Sequence, residues 1–409
     1  MKTKKIFDLD AYVTTLDTIV LDSHESDREE YKGCFEVITK ESIFSPKGGG
    51  QNADKGTING INVKDVLTID GELIHFVEGE IKAGDKASLS IDFELRKRRM
   101  QVHNAEHLIC GLFHKRFGFD NVGFHVSEEY DGDTLLRVEA VMDIDGIVND
   151  DEIKKIEEDA NRAIGENVRI YASLPTHEEA QSIDFRSKID IEDNLRLVII
   201  DGYDVCACCA PCLKSSGEIQ VVKILDYFVH RGGMRLTLVA GMDAVKDYAF
   251  LHTQNKEFMR LLSSKREDCA SSLESKLIHC NEEHEEINNL KKEITKIYLK
   301  DIFSNPEYEN KKYIVCFAPS FDEVMARNLI NETVAKKECA LTVCFDNKND
   351  SFRFVTGKSD ALDISLKNLA TKIRNDLSGR GGGSDKMIQG SIPADEENII
   401  KFFANLETD

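Results

Sequence analysis

Hydrophobic spacing changes three times along the chain. Through residues 7–92, stretches such as 34–39 and 55–63 alternate in polarity and are broken by glycines, the period-two signature of half-buried strands. Residues 94–118 switch to helical spacing, with Met100, Leu108, Leu112 and Phe113 apolar and Gly118 at the expected stop. Strand-like 135–141, an amphipathic helix over 150–165, a buried strand at 195–200 and a hairpin-like pair at 217–225 and 234–241 follow. Residues 242–300 carry no glycine or proline and many charges, so they read as long helix. Their second half repeats Leu273, Cys280, Ile287 and Ile294 at seven-residue steps, with Leu290 and Ile297 between heptads. An antiparallel helical hairpin and a coil between two copies both fit that register. Residues 312–409 offer buried strands at 312–318 and 339–345 and helices at 321–337 and 361–376.

The predicted class is therefore α+β. It divides into a β-barrel-like subdomain over 1–92, a mixed α+β domain over 93–241, a helical linker over 242–300 and a C-terminal α/β domain over 301–409.

Composition narrows the function. With 409 residues and 41% hydrophobic content the chain can build more than one core. It has no apolar run of membrane length and no apolar signal core near Met1. Eleven cysteines in such a chain point to a reducing cytoplasm, where they serve as thiols or ligands. A net charge of −21 argues against indiscriminate nucleic-acid binding. The local run Arg96-Lys97-Arg98-Arg99 still offers a basic track that could face phosphate.

The chemistry concentrates in two places. His103 and His107 are four residues apart in the predicted helix, so their imidazoles share one face. About a hundred residues on, Cys206-Ala207-Cys208-Cys209-Ala210-Pro211-Cys212 supplies thiols. Cys208 and Cys212 have the same four-residue spacing and can close a His2Cys2 site suited to zinc. Cys206 and Cys209 compete for the role: Cys206 precedes the turn by one strand step, and Cys209 should point away from Cys208. The triple glycine Gly48, Gly49 and Gly50 lets backbone approach a ligand closely. A second glycine-rich segment, residues 379–390 with Arg380, reads as a loop whose backbone N–H groups can cradle a phosphate. It lacks the Lys-Ser/Thr of a P-loop, so nucleotide hydrolysis is not suggested.

Together these motifs resemble the free-standing alanyl-tRNA editing proteins of the long type, relatives of the alanyl-tRNA synthetase editing domain. Phe44-Ser45-Pro46-Lys47-Gly48-Gly49-Gly50-Gln51 followed by Asp54, the stretch from Arg99 to Leu108, and Cys208 to Cys212 followed by Ser216-Gly217-Glu218-Ile219 carry the likeness. Residues 379–390 resemble the glycine-rich C-terminal domain called DHHA1. Two positions depart from the family: Cys212 stands where histidine is usual, and Ser45 where tyrosine precedes the proline. The resemblance implies a cytoplasmic, zinc-dependent hydrolase that removes the wrong amino acid from tRNA(Ala), chiefly serine and also glycine. It implies metal ligands His103, His107, Cys208 and Cys212, catalytic-pocket residues Gln51 and Ser42, and substrate contacts from Gly48, Gly49, Gly50, Asp54, Arg99 and Arg380. A homodimer through the linker or C-terminal domain fits the heptad. A zinc-stabilised RNA-binding protein without catalysis is the competing reading, favoured by the Cys212 departure.

Overall fold

The computed structural model describes residues 2–187, 195–348 and 351–407. Backbone contacts gather the chain into two compact units, Met1–Glu257 and Phe258–Asp409. The fold is α+β, and no described helix is long and apolar enough to cross a membrane.

The first unit begins with a closed barrel of antiparallel strands. Thr15–Glu25 pairs with Phe35–Thr39 on one side and Lys86–Ile91 on the other, and Glu72–Val77, Ile61–Ile69 and Gly56–Ile58 complete the circuit. Alternation decides which way each strand faces. Lys86–Ile91 buries Ala87, Leu89 and Ile91 and exposes the residues between them.

The barrel core also holds a polar chain. His75 Nδ1–H donates to the Val37 carbonyl at 2.9 Å, and Ser42 Oγ–H donates to His75 Nε2 at 2.8 Å. The Phe44 amide in turn donates to Ser42 Oγ. Burial pushes the His75 imidazole down to about 4, so it stays neutral. Below about pH 6.5 the unfolded chain binds a proton there that the folded chain refuses until about pH 4. Stability should therefore fall by about 3 kcal/mol across that window. Urea unfolding at about pH 7 and about pH 4.5 reads this. His75→Gln should flatten the slope, and a wild-type slope no steeper than the variant's would exclude the effect.

Phe93–Phe117 is a helix at the centre of the unit. Asp92 caps it by accepting from the Leu95 amide, and Gly118, at φ 73°, ends it in the left-handed conformation. It is buried on nearly every side from Arg99 to Cys110, because it lies between the barrel and a four-stranded antiparallel sheet. That sheet orders Val222–His230, Gly233–Ala240, Thr134–Ile144 and Asn121–Asp131. A smaller sheet of Ile170–Ser173, Leu197–Ile200 and Asp204–Ala207 brings the cysteine segment against the same helix.

The basic run at the helix start does not form a phosphate track. Arg96 is fully buried and forms a two-pronged ion pair with Asp54. Arg98 pairs with Asp243 at 2.7 Å, and Arg99 donates to Glu128 and to the Ala53 carbonyl. The arginines tie the helix to the barrel and sheet. This is why residues 1–92 and 93–241 pack as one unit.

The expected long helix over 242–300 is broken into Met242–Leu262 and Cys269–Ser304. Ser263 adopts a left-handed φ of 53° at the break, a conformation that ends a helix. In the second unit a mixed sheet orders Tyr313–Phe317, Ala340–Lys348, Ser351–Lys358, Met387–Ile392 and Arg380–Gly383. Helix Glu323–Val334 helps bury one apolar cluster on this sheet, and Leu366–Asp376 and Glu396–Leu406 bury another. The glycine-rich stretch is not a loop. Arg380–Gly383 is an edge strand laid closely on Met387–Ile392, and a Cβ at Gly381 would meet the Gln389 carbonyl at 2.1 Å. Its glycines serve strand packing, and Arg380 is exposed on that edge.

Candidate metal centre

His103 and His107 stack on the central helix with ring centroids 5.0 Å apart and planes within 6°. Each ring is fixed by an oxygen on its Nδ1 side. His103 Nδ1–H donates to Gln51 Oε1 at 3.2 Å, and His107 Nδ1–H donates to Asp204 Oδ2 at 3.2 Å. This leaves both Nε2 atoms to act as acceptors or ligands, the usual arrangement behind metal-binding histidines. Cys208 Sγ lies 3.6 Å from His103 Nε2. Two ligands of one tetrahedral zinc are separated by roughly 3.5 Å, given bonds of about 2.0–2.3 Å.

The strand Asp204–Ala207 explains the cysteine side. Alternation directs Asp204 and Cys206 inward, and Cys208 continues that face toward the helix. Ligand atoms of His103, His107 and Cys208 all lie within 4.8 Å of one another, as do those of His107, Asp204 and Cys206. His107 Nε2 is buried without a hydrogen-bond partner, a costly state that a bound cation relieves. Imidazole and thiolate donors around it suit a borderline-soft divalent ion.

With no cation in the cluster, burial pushes the His107 imidazole down, but the Cys206 thiol and its bond to Asp204 more than offset it and hold the ring well above its ordinary value. Burial pushes the Cys208 thiol up, but the His103 and His107 rings more than offset it and hold the group well below the usual thiol range. Burial raises the Asp204 carboxyl, and its bonds to His107 and Arg186 bring it below the ordinary value.

A cavity of about 400 Å³ opens beside these residues, lined among others by Gly49, Gly50, Glu106, Phe124, Arg186 and Arg196. Gly48 and Gln51 exchange backbone hydrogen bonds at 3.0 Å, forming a two-residue turn whose central Gly49 and Gly50 have φ of 58° and 78°. The Gly50 carbonyl accepts from Val126, and a Cβ on Gly50 would sit 2.5 Å from the Phe124 carbonyl oxygen. The triple glycine thus brings backbone to the cavity mouth.

Most of the other expected site residues lie elsewhere. Ser42 is buried in the barrel with His75 and does not line the cavity. Asp54 and Arg99 are spent on the internal pairs described above and do not line it either. Gln51 stays at the cluster, behind the His103 ring, with its Oε1 3.2 Å from Nδ1. Cys212 belongs to neither ligand group and lines a separate cavity with Asp8, Tyr12 and Arg169. Arg380 is in the second unit. Asp204, Glu106, Arg186 and Arg196 were not expected at the site, and Cys206 only as a competitor of Cys208 and Cys212. For Asp204, Cys206 and Cys208 a signal was present, since they alternate along one strand. Arg186 and Arg196 offered none.

The first unit is thus a barrel joined to an α+β layer around a histidine–cysteine cluster. No family model matches the chain. It is 24% identical to the alanyl-tRNA editing protein AlaX-L of Pyrococcus horikoshii, covering 97% of this chain and 96% of that one. It is 23% identical to the alanyl-tRNA editing protein Aarsd1 of Mus musculus over 89% of this chain and 86% of that one. Alanine–tRNA ligase of Halobacterium salinarum is 29% identical over 63% of this chain but only 27% of its own length. The C-Ala domain of Aquifex aeolicus alanyl-tRNA synthetase aligns with 24% of this chain and 86% of its own, at 21% identity and a TM-score of 0.21, too low to define a shared fold. Over nearly its whole length the chain is similar in sequence to alanyl-tRNA editing proteins.

Proposed function

We propose that this protein hydrolyses, in trans, the ester joining a wrong amino acid to the 3′-terminal adenosine of tRNA(Ala), chiefly serine and secondarily glycine. The observation that carries this reading is the cavity where His103, His107 and Cys208 face the Gly49-Gly50 turn. It occurs in a chain similar end to end to alanyl-tRNA editing proteins.

His103, His107 and Cys208 would hold zinc, which supplies Lewis acidity toward a water or the terminal ribose. Gln51 and Asp204 hold the two rings in orientation, so the ligand atoms are placed before substrate arrives. Phe124 packs on the His103 ring with centroids 4.7 Å apart and shields that side from water. The glycine turn lets the terminal nucleotide approach backbone. Aminoacyl esters are labile, so positioning supplies much of the rate.

Selectivity follows from the cost of an unpaired polar group. A site for alanine cannot strongly exclude serine, whereas a buried group that bonds the serine hydroxyl is left unsatisfied by alanine. Glu106, Arg186 and Arg196 bring polar atoms to the lining. In the second unit, exposed Arg380 is assigned to a tRNA contact. Exposed Leu273, Ile287, Leu290 and Ile297 form a stripe that a second copy could cover.

Incubation with serylated, glycylated and alanylated tRNA(Ala) tests the reading. Seryl ester should be lost at least about tenfold faster than alanyl ester, a difference of roughly 1.4 kcal/mol in transition-state stabilisation. Loss no faster than in buffer on both seryl and glycyl esters, with metal bound, would favour the zinc-stabilised RNA-binding protein instead.

A further inference from the structure

We infer that Glu106 binds the α-ammonium group of the aminoacyl ester, and so restricts the cavity to esters whose amine is free. The inference rests on the hydrolase reading above and names the substrate group that one residue of that site receives.

Charge complementarity points to this residue. Among the described residues lining the cavity, Glu106 is the one carboxylate, and Arg186 and Arg196 are cations. Two guanidinium groups beside a centre suited to a divalent cation repel an incoming ammonium. Its entry therefore needs an anion close by. Glu106 belongs to neither cluster of metal-binding atoms, so the metal centre does not claim its carboxylate. If Glu106 bound the serine hydroxyl instead, the ammonium would meet only cations and neutral groups among that lining.

Placement agrees. Glu106 follows His103 by three residues on the central helix, which sets the two side chains on one face. It lines the cavity although it is only 3% exposed, so it stands on the inner wall. The Gly49-Gly50 turn is at the mouth, where the terminal nucleotide approaches. The aminoacyl end is the part of the substrate that reaches further in.

The carboxylate is also held in position. Asn121 Nδ2–H donates to Glu106 Oε1. The Asn121 amide has its orientation fixed, because its own Oδ1 accepts from the Gly123 backbone at 3.0 Å. Cys110, one turn along the helix, donates its thiol proton to the same Glu106 oxygen at 3.2 Å. Burial pushes that thiol well above its ordinary value, and Glu106 beside it pushes the same way, so the proton stays on sulfur. Both donors are neutral, so they orient the carboxylate without neutralising it. A carboxylate offers about four acceptor positions, and these two bonds do not saturate it.

Calorimetric titration of the zinc-loaded, full-length protein tests the assignment. The probes are 3′-serylamino-3′-deoxyadenosine, whose amide link resists hydrolysis, its N-acetyl counterpart, and the alanyl form. At about pH 6.5, where the α-amine is protonated, wild type should bind the free-amine seryl probe at least about 30-fold more tightly than the N-acetyl probe, as a charge-assisted hydrogen bond gives. Glu106→Gln, which keeps the shape and an acceptor for Asn121, should bring that ratio to within about threefold by weakening the free-amine probe alone. Zinc content and the preference for seryl over alanyl probe should stay as in wild type. In wild type, binding of the free-amine probe should weaken as pH rises above about 8 and the ammonium loses its proton, while the N-acetyl probe changes less. This last measurement needs no variant to fold.

An unchanged ratio in Glu106→Gln, equal weakening of both probes, or parallel pH profiles in wild type overturns the assignment. Loss of the seryl preference with the amine ratio intact would also overturn it, by making Glu106 a reader of the hydroxyl. Seryl-tRNA deacylation by wild type is a separate measurement. Binding that depends on the amine through Glu106, without ester loss, would remove the hydrolase reading and leave the ammonium site standing.

Discussion

His103→Ala should remove most bound zinc and lower seryl-tRNA deacylation by at least about 100-fold, whereas Gln51→Ala should weaken metal binding by only about 10- to 100-fold. The grading follows from where each group sits. His103 Nε2 is 3.6 Å from Cys208 Sγ, so in the proposed centre its loss removes a ligand outright. Gln51 touches only the far nitrogen of that ring, at 3.2 Å, and its loss frees the ring to rotate. Metal content after gel filtration and the single-turnover rate of ester loss measure the two effects. Equal damage from both variants would place Gln51 among the groups that touch substrate. Undiminished zinc in His103→Ala would remove the histidine pair from the centre.

Asp54→Ala should destabilise the first unit by about 3–5 kcal/mol, because it strands a buried guanidinium. Arg96 is fully buried and divides its donors among Asp54 and the carbonyls of Ala11 and Ile43. Asp54 also accepts from the Ser45 amide at 2.6 Å. Without the carboxylate the charge remains in place and only the carbonyls face it. Urea unfolding reads the loss. The double variant Arg96→Met with Asp54→Ala should recover part of it, since it removes the stranded charge. A single variant as stable as wild type would show that water reaches Arg96. The result also separates structure from chemistry: metal content measured under folding conditions should remain near wild type.

Periodicity made much of the architecture legible. The histidine helix was expected over 94–118 and spans Phe93–Phe117, since Asp92 and Gly118 mark its ends in sequence. The second helix, expected over 150–165, spans Asp150–Glu166. Local signals suffice there because capping and apolar spacing act within a few residues. The helical-hairpin reading of 242–300 allowed a break, but its position at Ser263 was not legible because no glycine or proline marks it. The edge strand at Arg380 was read as a loop because glycine loosens local preference without saying what the backbone will pair with.

At the site, sequence alone determined the donor chemistry. His103 and His107 must share a helical face, cysteines stand ready to meet them, and the adjacent glycines of residues 48–50 can bring backbone near. Tertiary structure decided which groups meet. It sent Ser42, Asp54 and Arg99 into internal hydrogen bonds and ion pairs, placed Asp204 and Gln51 behind the imidazoles, and left Cys212 in another cavity. The physical reason is range. Spacing along a helix or strand fixes the direction of a side chain relative to its own backbone. A long-range partner depends on how distant segments pack, and buried charges such as Arg96 and Arg99 pair with whichever acid that packing brings within reach.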